Sequence, residues 1–188
     1  MKKLATLTLT GVLALSVPAF AQDTPESGTT TPSAQKQCRT ERTAMGKDAF
    51  ALLYGTNKNR KNAFGKCVSK RAAATEDAQQ EARTNASKEC KAEKLADPAA
   101  FAAKYGTGKT GANAHGKCVS QKAKAKTAAT VEEQVDADVN AAKTCKTERK
   151  ADPAAFATKY GTNANKRNAF GKCVSKTKKA QEQETEQS

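Results

Sequence analysis

Asn168-Ala169-Phe170-Gly171-Lys172-Cys173-Val174-Ser175-Lys176 occurs twice in this chain, residue for residue, the first copy being Asn62 to Lys70. A third copy, Asn113 to Gln121, differs only by His115 for Phe and Gln121 for Lys. Thirteen residues before each of these cysteines stands a Tyr-Gly-Thr, at Tyr54, Tyr105 and Tyr160, and four residues before each tyrosine stands Phe50, Phe101 or Phe156. A second cysteine leads each block, at Cys38, Cys90 and Cys145. All six cysteines and most large apolar residues thus belong to one unit written three times.

The repeat argues against a single core. Only 37% of the 188 residues are hydrophobic, much of that is alanine, and tryptophan is absent. A chain so poor in large apolar groups buries little surface per residue, so something other than a core must help hold it.

Residues 1–21 read separately. Lys2 and Lys3 precede the apolar run Leu4 to Val17, and Ala19-Phe20-Ala21 fits a small-x-small cleavage site. This is the pattern of a secretory signal peptide, and the apolar run is short for a membrane span. Export implies an oxidising compartment, where an even number of cysteines at repeated spacing reads as disulfides.

Residues 22–37, with Pro25, Gly28, Pro32 and a Ser/Thr cluster, are expected to form a disordered tether. Unit 1 spans 38–71, unit 2 spans 90–126 and unit 3 spans 145–179. Residues 72–89 and 127–144 link them, and 180–188 form an acidic tail expected to be disordered.

Each unit reads as three helical pieces, giving an all-α protein. Asp97-Pro98 and Asp152-Pro153 end one piece and begin the next, with Asp as N-cap and Pro at the first helical position. Gly106 and Gly161 stand where glycine stops a helix. Asn62, Asn113 and Asn168 are expected to cap the third piece, on which Phe64, Cys67 and Val68 form an apolar stripe. No Gly or Pro occurs between Lys66 and Asp97 or between Lys117 and Asp152. Propensity therefore favours continuous linking helices. The alternative is a frayed linker, because these stretches look polar all round.

A continuous helix places Cys67 and Cys90 about 35 Å apart along its axis, far beyond disulfide reach. Among the connectivities six cysteines allow, geometry then favours pairing within units: Cys38–Cys67, Cys90–Cys118 and Cys145–Cys173. Each would close a helical hairpin.

The formal net charge is +14, and removal of Lys2 and Lys3 with the leader leaves +12. Units 1, 2 and 3 carry +7, +6 and +8, whereas both linkers and the tail are net negative. Basic units on an exported chain point to a polyanionic partner such as an acidic polysaccharide. The expected contacts are Lys58, Arg60, Lys61 and Lys66 in unit 1 and Lys166, Arg167 and Lys172 in unit 3, cations set among amides near a helix start. Unit 2 has Gly108-Lys109-Thr110-Gly111 at the corresponding place and is expected to bind more weakly. The competing reading is a structural spacer whose charge serves solubility.

Catalytic signals are sparse. His115 is the sole histidine, and His115 with Cys118 is the one pair that could be drawn as base and nucleophile. The other units keep the cysteine without a histidine. Short Cys/His metal spacings and phosphate-loop glycines are missing, so no metal, cofactor or small-molecule substrate is expected.

The pattern F-x3-Y-G-T-N-x-N-x2-N-A-F-G-K-C-V-S, met at Phe50 to Ser69 and Phe156 to Ser175, resembles a repeat of secreted bacterial proteins of uncharacterised role, actinobacterial ones in particular. Phe101 to Ser120 departs from it at the Asn-x-Asn positions and at His115. The resemblance implies an exported protein and brings no activity or ligand with it.

Overall fold

The computed structural model describes residues 30–108 and 110–186; the leader expected at 1–21 and most of the tether lie outside them. Seven helices and no strand occur among the described residues. Unit 1 holds α1 (Ala34–Met45), α2 (Lys47–Tyr54) and the start of α3 (Ala63–Ala96). Unit 2 holds the end of α3, α4 (Pro98–Tyr105) and the start of α5 (Ala114–Ala151). Unit 3 holds the end of α5, α6 (Pro153–Tyr160) and α7 (Ala169–Glu186). Helix α1 begins inside the segment read as a tether, with Ser33 accepting from the Lys36 amide, and the described part of the tail continues α7.

The caps act as the sequence implies at the Asp-Pro junctions. Asp97 accepts from Ala100 N at 2.9 Å, and Asp152 from Ala154 N and Ala155 N at 3.0 and 2.9 Å. In unit 1 the same joint is made by Gly46 at φ +87°, a conformation that favours glycine. The Asn62 family does not cap as expected. Asn62 instead accepts from Thr56 N at 3.1 Å and donates to Thr56 Oγ1 at 2.7 Å, closing its own loop. Asn113 does the same with Thr107 and Asn168 with Thr162. That bond explains why Tyr-Gly-Thr and Asn-Ala-x-Gly recur together. The glycine of Tyr-Gly-Thr is required by crowding, since a Cβ on Gly161 would lie 2.5 Å from the Ala157 carbonyl oxygen.

Disulfides join Cys38–Cys67, Cys90–Cys118 and Cys145–Cys173, all within units. Both linkers are continuous helix. They do not lack a partner, because α3 and α5 lie antiparallel against each other. Ala78, Ala82 and Ala86 repeat every fourth residue and are buried on α3, facing Ala123, Thr127 and Val131 on α5. Small side chains at that spacing let two helices approach closely. Farther along α5, Val135, Val139 and Ala142 continue the stripe into a larger core.

That core is shared by units 1 and 3. It joins Met45, Phe50, Tyr54, Phe156, Phe170 and Val174 with both disulfides of those units. Unit 2 keeps a separate small cluster of Phe101, Tyr105, Ala114 and Cys90–Cys118 at the other end of the α3–α5 hairpin. The difference lies in three positions. Unit 1 has Leu52 and Leu53 packed on the shared core where unit 2 has Ala103 and Lys104, and unit 2 has His115 where units 1 and 3 have Phe64 and Phe170. Apolar surface that pairs units 1 and 3 is simply missing from unit 2.

Candidate functional site

Pairing units 1 and 3 sets their polar loops, 55–62 and 161–168, face to face. The two loops clasp reciprocally. Arg60 Nη2 donates to the Arg167 carbonyl at 3.3 Å, and Arg167 Nη2 donates to the Lys58 carbonyl at 2.9 Å. Arg60 also donates through Nη1 to the Leu52 carbonyl at 3.0 Å, at the end of α2, where helix carbonyls lack internal partners. Its backbone is left-handed, φ +55°, and Lys166 repeats this at φ +53° while donating to the Gly161 carbonyl at 3.0 Å. Each basic loop is therefore held in one shape by its own cation.

Between the loops lies an open cleft of about 580 Å³. Arg60, Arg167 and Lys172 line it, together with Lys70, Asn57, Asn163 and Ser175, over a floor that includes Leu52 and Leu53. Of the residues expected from sequence, Lys58 gives its backbone carbonyl to the clasp and Lys166 braces its own loop, while Lys61 and Lys66 are exposed outside the cleft lining. None of these seven cations is ion-paired with a carboxylate among the described residues. Burial, with the positive charges of Arg167 and Arg149 beside it, pushes the Arg60 pKa down. Of the cations lining the cleft only Lys70 lies near a carboxylate among the described residues, that of Asp138, so the cleft carries cations in excess. Unit 2 has no sister loop opposite it, so it contributes nothing comparable.

Behind the cleft is a buried polar cluster that sequence reasoning missed. Glu41, Arg71 and Asp138 are almost fully buried. Arg71 pairs with Glu41 through Nε and with Asp138 through Nη2, the latter at 2.6 Å, and Tyr54 donates its hydroxyl proton to Glu41. Lys178 reaches Asp138 at 2.8 Å, and Lys70, on the cleft wall, lies 3.7 Å from it. One cluster thus bolts α1, α2, α3, α5 and α7 together. Burial alone would raise the Asp138 pKa, but Lys70, Lys178 and Arg71 outweigh it and hold that carboxyl below its usual range. Burial would lower Arg71, and the Glu41 hydrogen bond with both carboxylates reverses this. Burial and the Glu41 charge raise the Tyr54 hydroxyl.

The signal for this cluster is present in the repeat. Each unit has Glu three residues after its first cysteine: Glu41, Glu93 and Glu148. Each accepts from its unit's tyrosine, Tyr105 on Glu93 at 3.1 Å and Tyr160 on Glu148 at 2.9 Å. In units 2 and 3 these sites are half-exposed, and lysines complete them. Lys104 and Lys122 hold the Glu93 carboxyl down to about 2 by hydrogen bonding.

His115 borders a second groove, beneath unit 2, and its Nε2 is buried without a hydrogen-bond partner. The Cys118 sulfur is tied to Cys90 and fully buried, so the pair His115–Cys118 has no thiol to act as nucleophile. The ligand atoms of Cys38, Glu41 and Cys67 lie within 4.8 Å of one another, but the two sulfurs are bonded to each other rather than free as thiolates.

The chain matches no protein-family model, no curated protein and no solved structure.

Proposed function

We propose that this is an exported, non-catalytic protein whose basic face contacts acidic polymers of the cell envelope or extracellular matrix. The observation that carries the reading is the juxtaposition of two amide-rich basic loops around a cleft in which Arg60, Arg167 and Lys172 have no carboxylate partner among the described residues. Cations held in place by other bonds bind an anion without first losing side-chain freedom. Three disulfides fit an oxidising, extracytoplasmic setting, and no described helix is long and apolar enough to cross a membrane. The sequence of residues 1–21, with Lys2, Lys3 and the apolar run Leu4 to Val17, has the pattern of an export leader and supports this reading.

The test is retention of the mature protein on heparin across a salt gradient. Lys58, Lys61 and Lys172 have exposed side chains outside the clasp bonds, so Lys58→Gln/Lys61→Gln/Lys172→Gln lowers charge without loosening the loops. Elution of this variant at clearly lower salt is expected, since each lost ionic contact removes roughly one released counterion. Absence of retention of the parent protein at low salt overturns the reading. A spacer role is the second reading, and the long α3–α5 hairpin that separates unit 2 from units 1 and 3 favours it.

A further inference from the structure

The cleft holds more than charge. Asn57 and Asn163 occupy the same place in the two loops, directly after Tyr-Gly-Thr. Both are exposed, both line the cleft, and neither side-chain amide has a hydrogen-bond partner among the described residues. Neighbouring asparagines differ, because they shape their own loops. Asn59 accepts from Lys61 N and Asn165 from Arg167 N, both at 3.1 Å. The cleft thus offers two free amides, each with two donors and an acceptor, beside unneutralised guanidinium and ammonium groups.

Amides that both donate and accept suit hydroxyl groups, and guanidinium groups suit carboxylates. The leucine floor, Leu52 and Leu53, suits the C–H face of a sugar ring. No aromatic side chain lines the cleft, so the base-stacking platform on which single-stranded nucleic acids depend is missing. Asn57 and Asn163 come from the same place in the two loops, so an equivalent amide from each unit lines the cleft, which suits a ligand with a repeating chemical unit.

We propose that the cleft between units 1 and 3 binds an acidic oligosaccharide, a uronate-bearing glycan held across both loops, with one site per chain and none on unit 2. This rests on the polyanion reading above and names its ligand class. Carboxylates meet Arg167 and Lys172, and ring hydroxyls meet Asn57 and Asn163.

Isothermal titration of the full mature chain tests it, with a short oligouronate and a single-stranded oligothymidylate of equal charge as probes. The oligouronate is expected to bind one per chain and more tightly than the oligothymidylate. Asn57→Ala/Asn163→Ala removes only the free amides, so uronate binding should weaken about tenfold while oligothymidylate binding is unchanged. The Lys58→Gln/Lys61→Gln/Lys172→Gln variant should weaken both. Equal binding of the two probes, or an asparagine variant that binds uronate like the parent, overturns the glycan assignment and leaves the polyanion reading standing. Failure of both probes to bind overturns the two together. Three uronates per chain would overturn the single composite site.

Discussion

Asp138→Asn should cost the protein about 3 kcal/mol near neutral pH. Asp138 accepts two charge-assisted hydrogen bonds, from Arg71 Nη2 at 2.6 Å and Lys178 Nζ at 2.8 Å, at a site 1% exposed. Bonds to charged groups are worth about 1.5–3 kcal/mol each. Asparagine keeps one acceptor oxygen but brings an amide that must face a cation. Two features limit the loss. Arg71 retains Glu41, and Lys178, at 21% side-chain exposure, can turn to solvent. The loss therefore falls at the lower end of what breaking a buried pair costs, about 3–5 kcal/mol. For a domain of this size that lowers the midpoint of thermal unfolding by roughly 6–12 °C. The effect also carries a pH signature. The folded-state pKa of Asp138 lies below its ordinary value, 3.8. Its stabilisation is therefore fully present above the unfolded-state pKa and is lost as pH falls through the folded-state value. The gap between parent and variant should be constant from pH 7 to about 5 and close below about pH 4. Urea unfolding followed by circular dichroism at pH 7, 5 and 3 measures it. A gap under about 0.5 kcal/mol at pH 7, or one that does not narrow on acidification, refutes the reasoning.

Three further outcomes follow from the packing. Cys90→Ala/Cys118→Ala should destabilise unit 2 by about 3 kcal/mol, and hydrogen exchange should show the loss confined to the unit 2 end, since that cluster is separate from the main core. Ala86→Leu should cost about 1–3 kcal/mol by overpacking, because Ala86 is 0% exposed at the contact of α3 with α5; thermal unfolding measures it. His115→Phe restores the residue of the sister units and removes a buried nitrogen without a partner, so unit 2 should gain about 1 kcal/mol, read as slower exchange of the Ala114–Cys118 amides.

Much of the architecture was legible locally. Asp-Pro junctions mark helix boundaries wherever they occur, and a continuous α3 decides the disulfide pairing by length alone. The features that escaped were those that depend on distant parts of the chain. The pairing of units 1 and 3 involves Leu52 and Leu53, which stand where unit 2 has Ala103 and Lys104 and which pack on a core containing Phe170, more than a hundred residues away. Val131, Val135, Val139 and Ala142 lie on one side of α5, but their spacing was hidden among acids that made the linker look polar all round. Glu41 and Asp138 carry no local sign of burial in the sequence; Arg71, four residues after Cys67, pairs with both in the interior. In the candidate site, the basic loops were visible as charge. Their mutual clasp was not, because Arg60 and Arg167 bond backbone carbonyls more than a hundred residues away.

Units 1 and 3 form one body that brings their basic loops together. Electron–electron double resonance between spin labels at positions 58 and 164, and between 58 and 107, tests it most directly. A single short distance for the first pair and more than about 40 Å for the second, set by the length of α3, is the predicted result. A long, broad distribution between 58 and 164, as from three units that move independently on their linkers, would contradict it.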